Sequence, residues 1–233
     1  MALTTSQNLS KFPPSVRSHL TQVYWTLLFS VLSMSAGLSL HLYTSIGYTI
    51  FPQLLVPLFI LLTTFYPRKS ETEKTRKYLL YCLCTSIGCE LGPLIEVTLE
   101  TDPFILLTAV SGTGVVFLCF TGAAIVAERK SYLFLGGFLS SMLSVLVWFS
   151  LLSFLVPVKV EQYVQLYVGL LVFTGYVLYD TQLMIEKAYH GSSDVVTDAV
   201  MLFYDCVAIF VRILVVLMKN FRKQEEKEKR RKK

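Results

Sequence analysis

The sequence predicts an all-α integral membrane protein: a bundle of seven transmembrane helices, or six plus a re-entrant carboxy-terminal segment. Three observations lead there. Of the 233 residues, 54% are hydrophobic and only 16% charged, whereas a soluble domain carries about a quarter charged residues. The apolar residues show no period of 2 or 3.6 and gather in blocks of about 20, the length that crosses a bilayer. The separators between blocks are too short to hold a domain outside the membrane.

The blocks follow in order. Residues 1–22 form a polar cytosolic arm with Lys11, Pro13, Pro14, Arg17 and His19. The arm has no short apolar core ahead of a small-residue cleavage site, so the first block serves as an uncleaved insertion signal. The seven blocks are Val23–Tyr43, Ile46–Tyr66, Tyr78–Leu99, Phe104–Ala127, Tyr132–Val156, Tyr163–Met184 and Thr197–Met218. Between them lie Thr44-Ser45, Pro67–Lys77, Glu100–Pro103, Glu128–Lys130, Pro157–Gln162 and Ile185–Asp198. One bundle over residues 23–218 is therefore expected, followed by a basic, disordered tail over 219–233. Small residues (Gly112, Gly114, Gly122, Gly136, Gly137, Gly169, Gly175) suit close helix packing in the membrane. Gly88, Gly92 and Pro93 differ, because glycine followed by proline weakens the helical hydrogen-bond ladder. Glu90 and Glu96 flank that break, as acids flank broken helices along ion paths, although a packing kink accounts for it as well.

Net charge is +5. From Lys219 onward there are nine Lys/Arg and three Glu, while residues 1–218 hold twelve Lys/Arg against thirteen Asp/Glu. The basicity belongs to the tail, so nucleic acid is not an expected partner. A solvated tail, or one that touches anionic lipid headgroups, fits the pattern. On the side of the amino terminus lie Lys11, Arg17, Arg68, Lys69, Lys74, Arg76, Lys77, Arg129, Lys130 and Lys187. The opposite loops offer Lys159 with Glu100, Asp102 and Glu161. The positive-inside rule therefore puts the amino terminus in the cytosol. Seven crossings would then carry the nine-cation tail to the far side, against the same rule. The last block is the most polar of the seven, with Asp198, Asp205 and Arg212, which keeps the re-entrant alternative open.

Asp180 and Asp205 lie inside the last two blocks. A carboxylate at membrane depth costs about 2.5–3.5 kcal/mol on insertion scales, which makes it a functional-site hypothesis. If the two blocks are successive antiparallel helices, Asp180 stands about six residues before the turn and Asp205 about seven after it. At ~1.5 Å per residue both sit roughly 10 Å below one face. They can meet as a dyad.

Several chemistries suit such a pair. Structural hydrogen bonds are one, with Arg212, two turns beyond Asp205, as a charge partner or a side chain that snorkels to an interface. Two carboxylates in contact cannot both ionise cheaply, so a shared proton would make them one titrating unit and a pH-dependent latch between helices. Deprotonated, the two would be hard oxygen ligands suited to Ca²⁺. An intramembrane aspartyl protease also uses paired aspartates, one of them in a Tyr-Asp dipeptide such as Tyr179-Asp180. Its partner motif Gly-x-Gly-Asp is absent before Asp205, where Leu202-Phe203-Tyr204 stand, so no enzymatic role is expected. Five cysteines (Cys82, Cys84, Cys89, Cys119, Cys206) fall in or beside apolar blocks and read as buried thiols rather than a disulfide framework. No histidine accompanies Cys82-x-Cys84, and no cofactor is expected.

The residues resemble the Bax inhibitor-1 family, also called the transmembrane Bax inhibitor motif proteins. The resemblance is carried by Asp102-Pro-Phe-Ile-Leu-Leu-Thr-Ala, Glu128-Arg-Lys-Ser-Tyr-Leu-Phe-Leu-Gly-Gly-Phe-Leu, Leu166-Tyr-Val-Gly-Leu and Gly175-Tyr-Val-Leu-Tyr-Asp-Thr-Gln-Leu-Met-Ile-Glu-Lys-Ala. His190-Gly191 and Leu202-Phe-Tyr-Asp-Cys-Val-Ala-Ile-Phe-Val-Arg follow in the family's order. It runs from about Pro14 to the tail, and the short amino terminus and lysine-rich tail are most similar to the Bax inhibitor-1 subgroup. The resemblance implies a seven-helix protein of the endoplasmic reticulum membrane that suppresses cell death and lets Ca²⁺ leak from the store in a pH-dependent way. It implies Asp180 and Asp205 as the paired aspartates, and anti-apoptotic Bcl-family proteins among the partners. A family acid four residues before the second aspartate is Met201 here, so no pH role carries over to that position.

Overall fold

The structure, a computed structural model, describes residues 12–68, 70–155 and 159–231, with side chains over 12–68, 71–151 and 165–231. Residues 1–11 of the predicted arm, Lys69, and the side chains of Lys159 and Glu161 lie outside these. Seven α-helices account for the described chain: α1 Pro14–Thr44, α2 Ile50–Phe65, α3 Glu73–Thr101, α4 Pro103–Val126, α5 Leu135–Leu155, α6 Lys159–Tyr189 and α7 Val195–Arg231. No strand occurs among the described residues. Five helices are long and apolar enough to cross a membrane, while Ile50–Phe65 and Leu135–Leu151 are apolar but shorter. The protein is thus a multi-pass helical membrane protein.

Both ends differ from expectation. α1 starts at Pro14, nine residues before the first apolar block. Proline at the first position loses nothing there, since that N–H has no helical partner. Val16, Leu20, Val23 and Leu27 repeat at helical spacing and are buried, so the polar arm already forms part of an amphipathic helix. At the other end α7 runs to Arg231 through the stretch read as disordered. Lys, Arg, Glu and Gln are good helix formers. Glu225 and Glu226 stand four residues before Lys229 and Arg230, the order that supports a helix.

The described residues divide into two compact units. The amino-terminal unit comprises Phe12–Asp102 with Lys187–Phe203; the carboxy-terminal unit comprises Pro103–Glu186 and the chain from Tyr204 onward. In the amino-terminal unit α1 and α3 cross closely. A Cβ on Gly37 would collide with the Thr85 carbonyl, and one on Gly88 with the Met34 carbonyl. The Cys89 thiol donates to the Gly37 carbonyl at 3.2 Å. α3 stays helical through Gly88, Gly92 and Pro93, so these glycines serve helix packing. In the carboxy-terminal unit, Gly136, Gly169 and Gly175 meet Tyr179, Arg212 and Leu139 closely, but Gly114, Gly122 and Gly137 face open space. Buried hydroxyls such as Ser30 and Thr113 donate to carbonyls one turn back, at 2.9 and 2.7 Å. That satisfies them within their own helix, as an apolar surrounding requires.

Candidate functional site

Asp180 on α6 and Asp205 on α7 both belong to the carboxy-terminal unit. Their carboxyls lie within hydrogen-bonding reach of each other. Asp205 is only 4% exposed, and its Oδ2 is buried with no hydrogen-bond partner among the described residues. Asp180 is partly buried. Tyr176, one turn before Asp180, lies close to both carboxyls.

Arg212 does not neutralise it. Its Nη1 donates to the Ala208 carbonyl at 2.9 Å, and its guanidinium lies 4.3 Å over the Phe173 ring. The bare backbone of Gly169 makes room for it. A cation held by a carbonyl and an aromatic face needs no carboxylate, which corrects its assignment as charge partner. Glu90 and Glu96 sit in the amino-terminal unit. Glu90 is exposed on α3, and Glu96 bonds His41 and Tyr48.

The motif around Asp180 also holds a residue that spacing alone did not single out. Gln182 Oε1 accepts from the Tyr132 amide at 2.8 Å, and its Nε2 donates to the Glu128 carbonyl at 3.1 Å. It thereby pins the turn between α4 and α5, where Lys130 takes a left-handed conformation (φ 69°). One turn on, Glu186 receives both Arg129 Nε and Nη2, at 2.6 and 2.9 Å, and pairs with Lys130 at 3.2 Å. The Tyr-Asp-Thr-Gln stretch therefore presents one acid to the dyad while anchoring the neighbouring turn.

A second buried acid group lies in the amino-terminal unit. Asp198, 3% exposed, accepts from Lys187 Nζ at 3.1 Å and lies 2.9 Å from His19 Nε2. Asp194 caps α7: its Oδ1 accepts the Val196 amide and its Oδ2 the Thr197 hydroxyl, at 3.2 and 2.7 Å. Arg76 Nη1 reaches the same Oδ2 at 2.7 Å. Burial would raise the Asp194 carboxyl, but the Thr197 hydroxyl, the Arg76 guanidinium and the Val196 amide outweigh it and hold it below its ordinary value. The Asp-x-x-Thr pattern that opens α7 marked this cap in the sequence. The partners of Asp198 left no such local sign.

Among the described residues, no group of three or more His, Cys, Asp or Glu is placed to hold a metal ion. Asp180 and Asp205 offer a divalent cation two carboxylates rather than a full oxygen shell. The five cysteines are free thiols; Cys84 and Cys89 are buried, whereas Cys82 and Cys119 are exposed, which corrects the expectation that all are interior.

Comparison with known proteins gives a consistent family. The model described as inhibitor of apoptosis-promoting Bax1 matches residues 16–223. The chain is 38% identical over 229 residues to Bax inhibitor 1 of Oryza sativa subsp. japonica, covering 97% of this chain and 90% of that protein. It is 39% identical over 215 residues to Bax inhibitor 1 of Arabidopsis thaliana, covering 92% and 86%. With Bax inhibitor 1 of Homo sapiens it shares 39% identity over 225 residues, covering 95% and 93%.

Proposed function

The chain belongs to the Bax inhibitor-1 family, and from that premise we propose that it is an endoplasmic reticulum membrane suppressor of cell death. In this reading it acts as a pH-sensitive Ca²⁺ leak, with Asp180 and Asp205 as gate and sensor. The observation that carries the reading is the contact between these two carboxyls, with Asp205 buried and no cation paired with it among the described residues. A shared proton lets them hold α6 to α7 through one hydrogen bond. Losing that proton sets two negative charges against each other in a low-dielectric site, which favours separation or a divalent cation between them. The dyad then couples acidity to the packing of two helices. With the amino terminus in the cytosol, as the positive-inside count expects, the dyad is open to access from the cytosolic face.

Reconstitution tests this. Purified protein in liposomes with an enclosed Ca²⁺ dye should leak, and the leak should change between about pH 6 and 8. Asp205→Asn should abolish it or fix it at one value. Absence of flux at every pH would overturn the channel reading and leave a scaffold that binds membrane partners such as anti-apoptotic Bcl-family proteins. A scaffold acting through its tail would lose partner binding on deletion of Lys219–Lys233 while its membrane insertion persisted. Flux that requires an opposing proton gradient would instead make the protein a proton/Ca²⁺ antiporter using the same dyad.

A further inference from the structure

The amino-terminal unit buries a histidine at the end of α1 opposite its amino terminus. α1 stops at Ser45, whose left-handed conformation (φ 54°) turns the chain into a 3₁₀ turn, Ile46–Tyr48, that leads to α2. His41, in the last turn of α1, is 1% exposed. Its Nδ1 accepts the Gly47 amide at 2.9 Å. A ring nitrogen that accepts carries no proton, so this bond selects the neutral tautomer with hydrogen on Nε2. Nε2 lies 3.2 Å from Glu96 Oε2, the oxygen that also accepts from the Tyr48 hydroxyl at 2.9 Å. The bond to Glu96 holds the Tyr48 hydroxyl in its protonated form.

The seat of this imidazole is built by glycine. A Cβ on Gly92 would enter the His41 ring, and one on Gly47 would strike both the ring and the Cys89 carbonyl. The ring therefore cannot turn aside to find another acceptor arrangement. The ionisable groups around it are Glu96 and the Cys89 thiol from α3 and Tyr48 from the turn, with Glu100 one turn further acting on Tyr48. α2 brings none, since Ile50–Phe65 contains no ionisable side chain.

We propose that His41 is a protonation switch for the turn Ser45–Thr49. As neutral imidazole it accepts the Gly47 amide and fixes the turn. As imidazolium it presents N–H to N–H at the same point and must release the turn. The charge is received by Glu96, so the proton is accommodated while the bond to Gly47 is lost. The turn packs on α1, α2 and α3 together, so its release loosens the start of α2.

The chain has three histidines, His19, His41 and His190, which makes a direct measurement practicable on the intact protein in nanodiscs. With ¹⁵N-labelled histidine, His41 should show the Nε2–H tautomer at neutral pH. Its conversion to imidazolium, wherever it falls in the titration, should coincide with a loss of Gly47 amide protection of about tenfold, after correction for intrinsic exchange, the size of one hydrogen bond. His41→Asn places an amide oxygen where Nδ1 stands, so Gly47 should stay protected at every pH. His41→Gln moves the polar group to the Nε2 position, so Gly47 should be unprotected throughout. An Nδ1–H tautomer at neutral pH, or protection in the unaltered protein that ignores pH, would overturn the proposal. So would a His41→Asn protein whose Gly47 still follows pH. Should both variants fail to fold, the tautomer and exchange readings on the unaltered chain decide alone.

Discussion

Asp198 and Asp205 stand seven residues apart on α7 and are almost equally buried, at 3% and 4% exposure. Their surroundings could hardly differ more. Asp198 is met by Lys187 and His19; Asp205 is met by another acid. The cation nearest to Asp205 in sequence, Arg212, spends its charge on a carbonyl and the Phe173 ring. Burial alone therefore does not mark a functional acid in this protein. What separates the two is the partner: cations meet Asp198, whereas the proposed switch at Asp205 faces another acid.

Four measurements would break or sharpen that contrast. The largest effect is expected for Asp198→Asn, which leaves Lys187 and His19 facing an uncharged amide. Breaking such a buried pair should lower stability by about 3 kcal/mol, read as an earlier thermal transition in detergent; a loss below about 1 kcal/mol would remove the distinction. Arg76→Met comes next. It removes the bonds to Asp194 and Thr197, with an expected cost of about 2 kcal/mol by the same readout.

Acid titration of the unaltered protein should show a smaller, graded effect. The Asp194 carboxyl is held below its ordinary value. Its contribution is then complete above the unfolded carboxylate value, about 3.9, and fades as pH falls through the lower folded one. Arg76→Met should flatten that acid limb, and an unchanged limb would assign it to other groups. The smallest change in stability belongs to Asp205→Asn. The Asn amide can donate to Asp180 in place of the shared proton, so the transition should stay within about 1 kcal/mol of the parent, while the pH response of flux disappears. A loss comparable to that of Asp198→Asn would make Asp205 structural after all.

The seven helices were legible because charge-poor blocks about 20 residues long have few alternatives in a bilayer. Asp180 and Asp205 stand out in the sequence because two acids at matched depth on neighbouring helices are energetically unusual. What escaped were contacts between residues far apart in the chain. His19 meets Asp198 across 179 positions and His41 meets Glu96 across 55, distances at which local periodicity carries no information. Arg212 was misjudged because helical spacing placed it on the face of Asp205, whereas Gly169 on another helix opened a place for it over Phe173. The helical tail escapes a reading by apolar blocks, because Lys, Glu and Arg propagate a helix well without apolar residues.

The length of α7 has a mechanical consequence. Its 37 residues span roughly 55 Å, against a hydrocarbon core of about 30 Å. The thirteen positions beyond Met218 continue as a rod of about 20 Å. Asp205 and Arg231 are then two points on one lever. A tilt of about 10° about Asp205 sweeps the charged tip, about 39 Å away along the helix, sideways by roughly 7 Å. A spin label near Arg230 would read that amplification, turning a sub-ångström adjustment between two carboxyls into a displacement on the water side of the membrane.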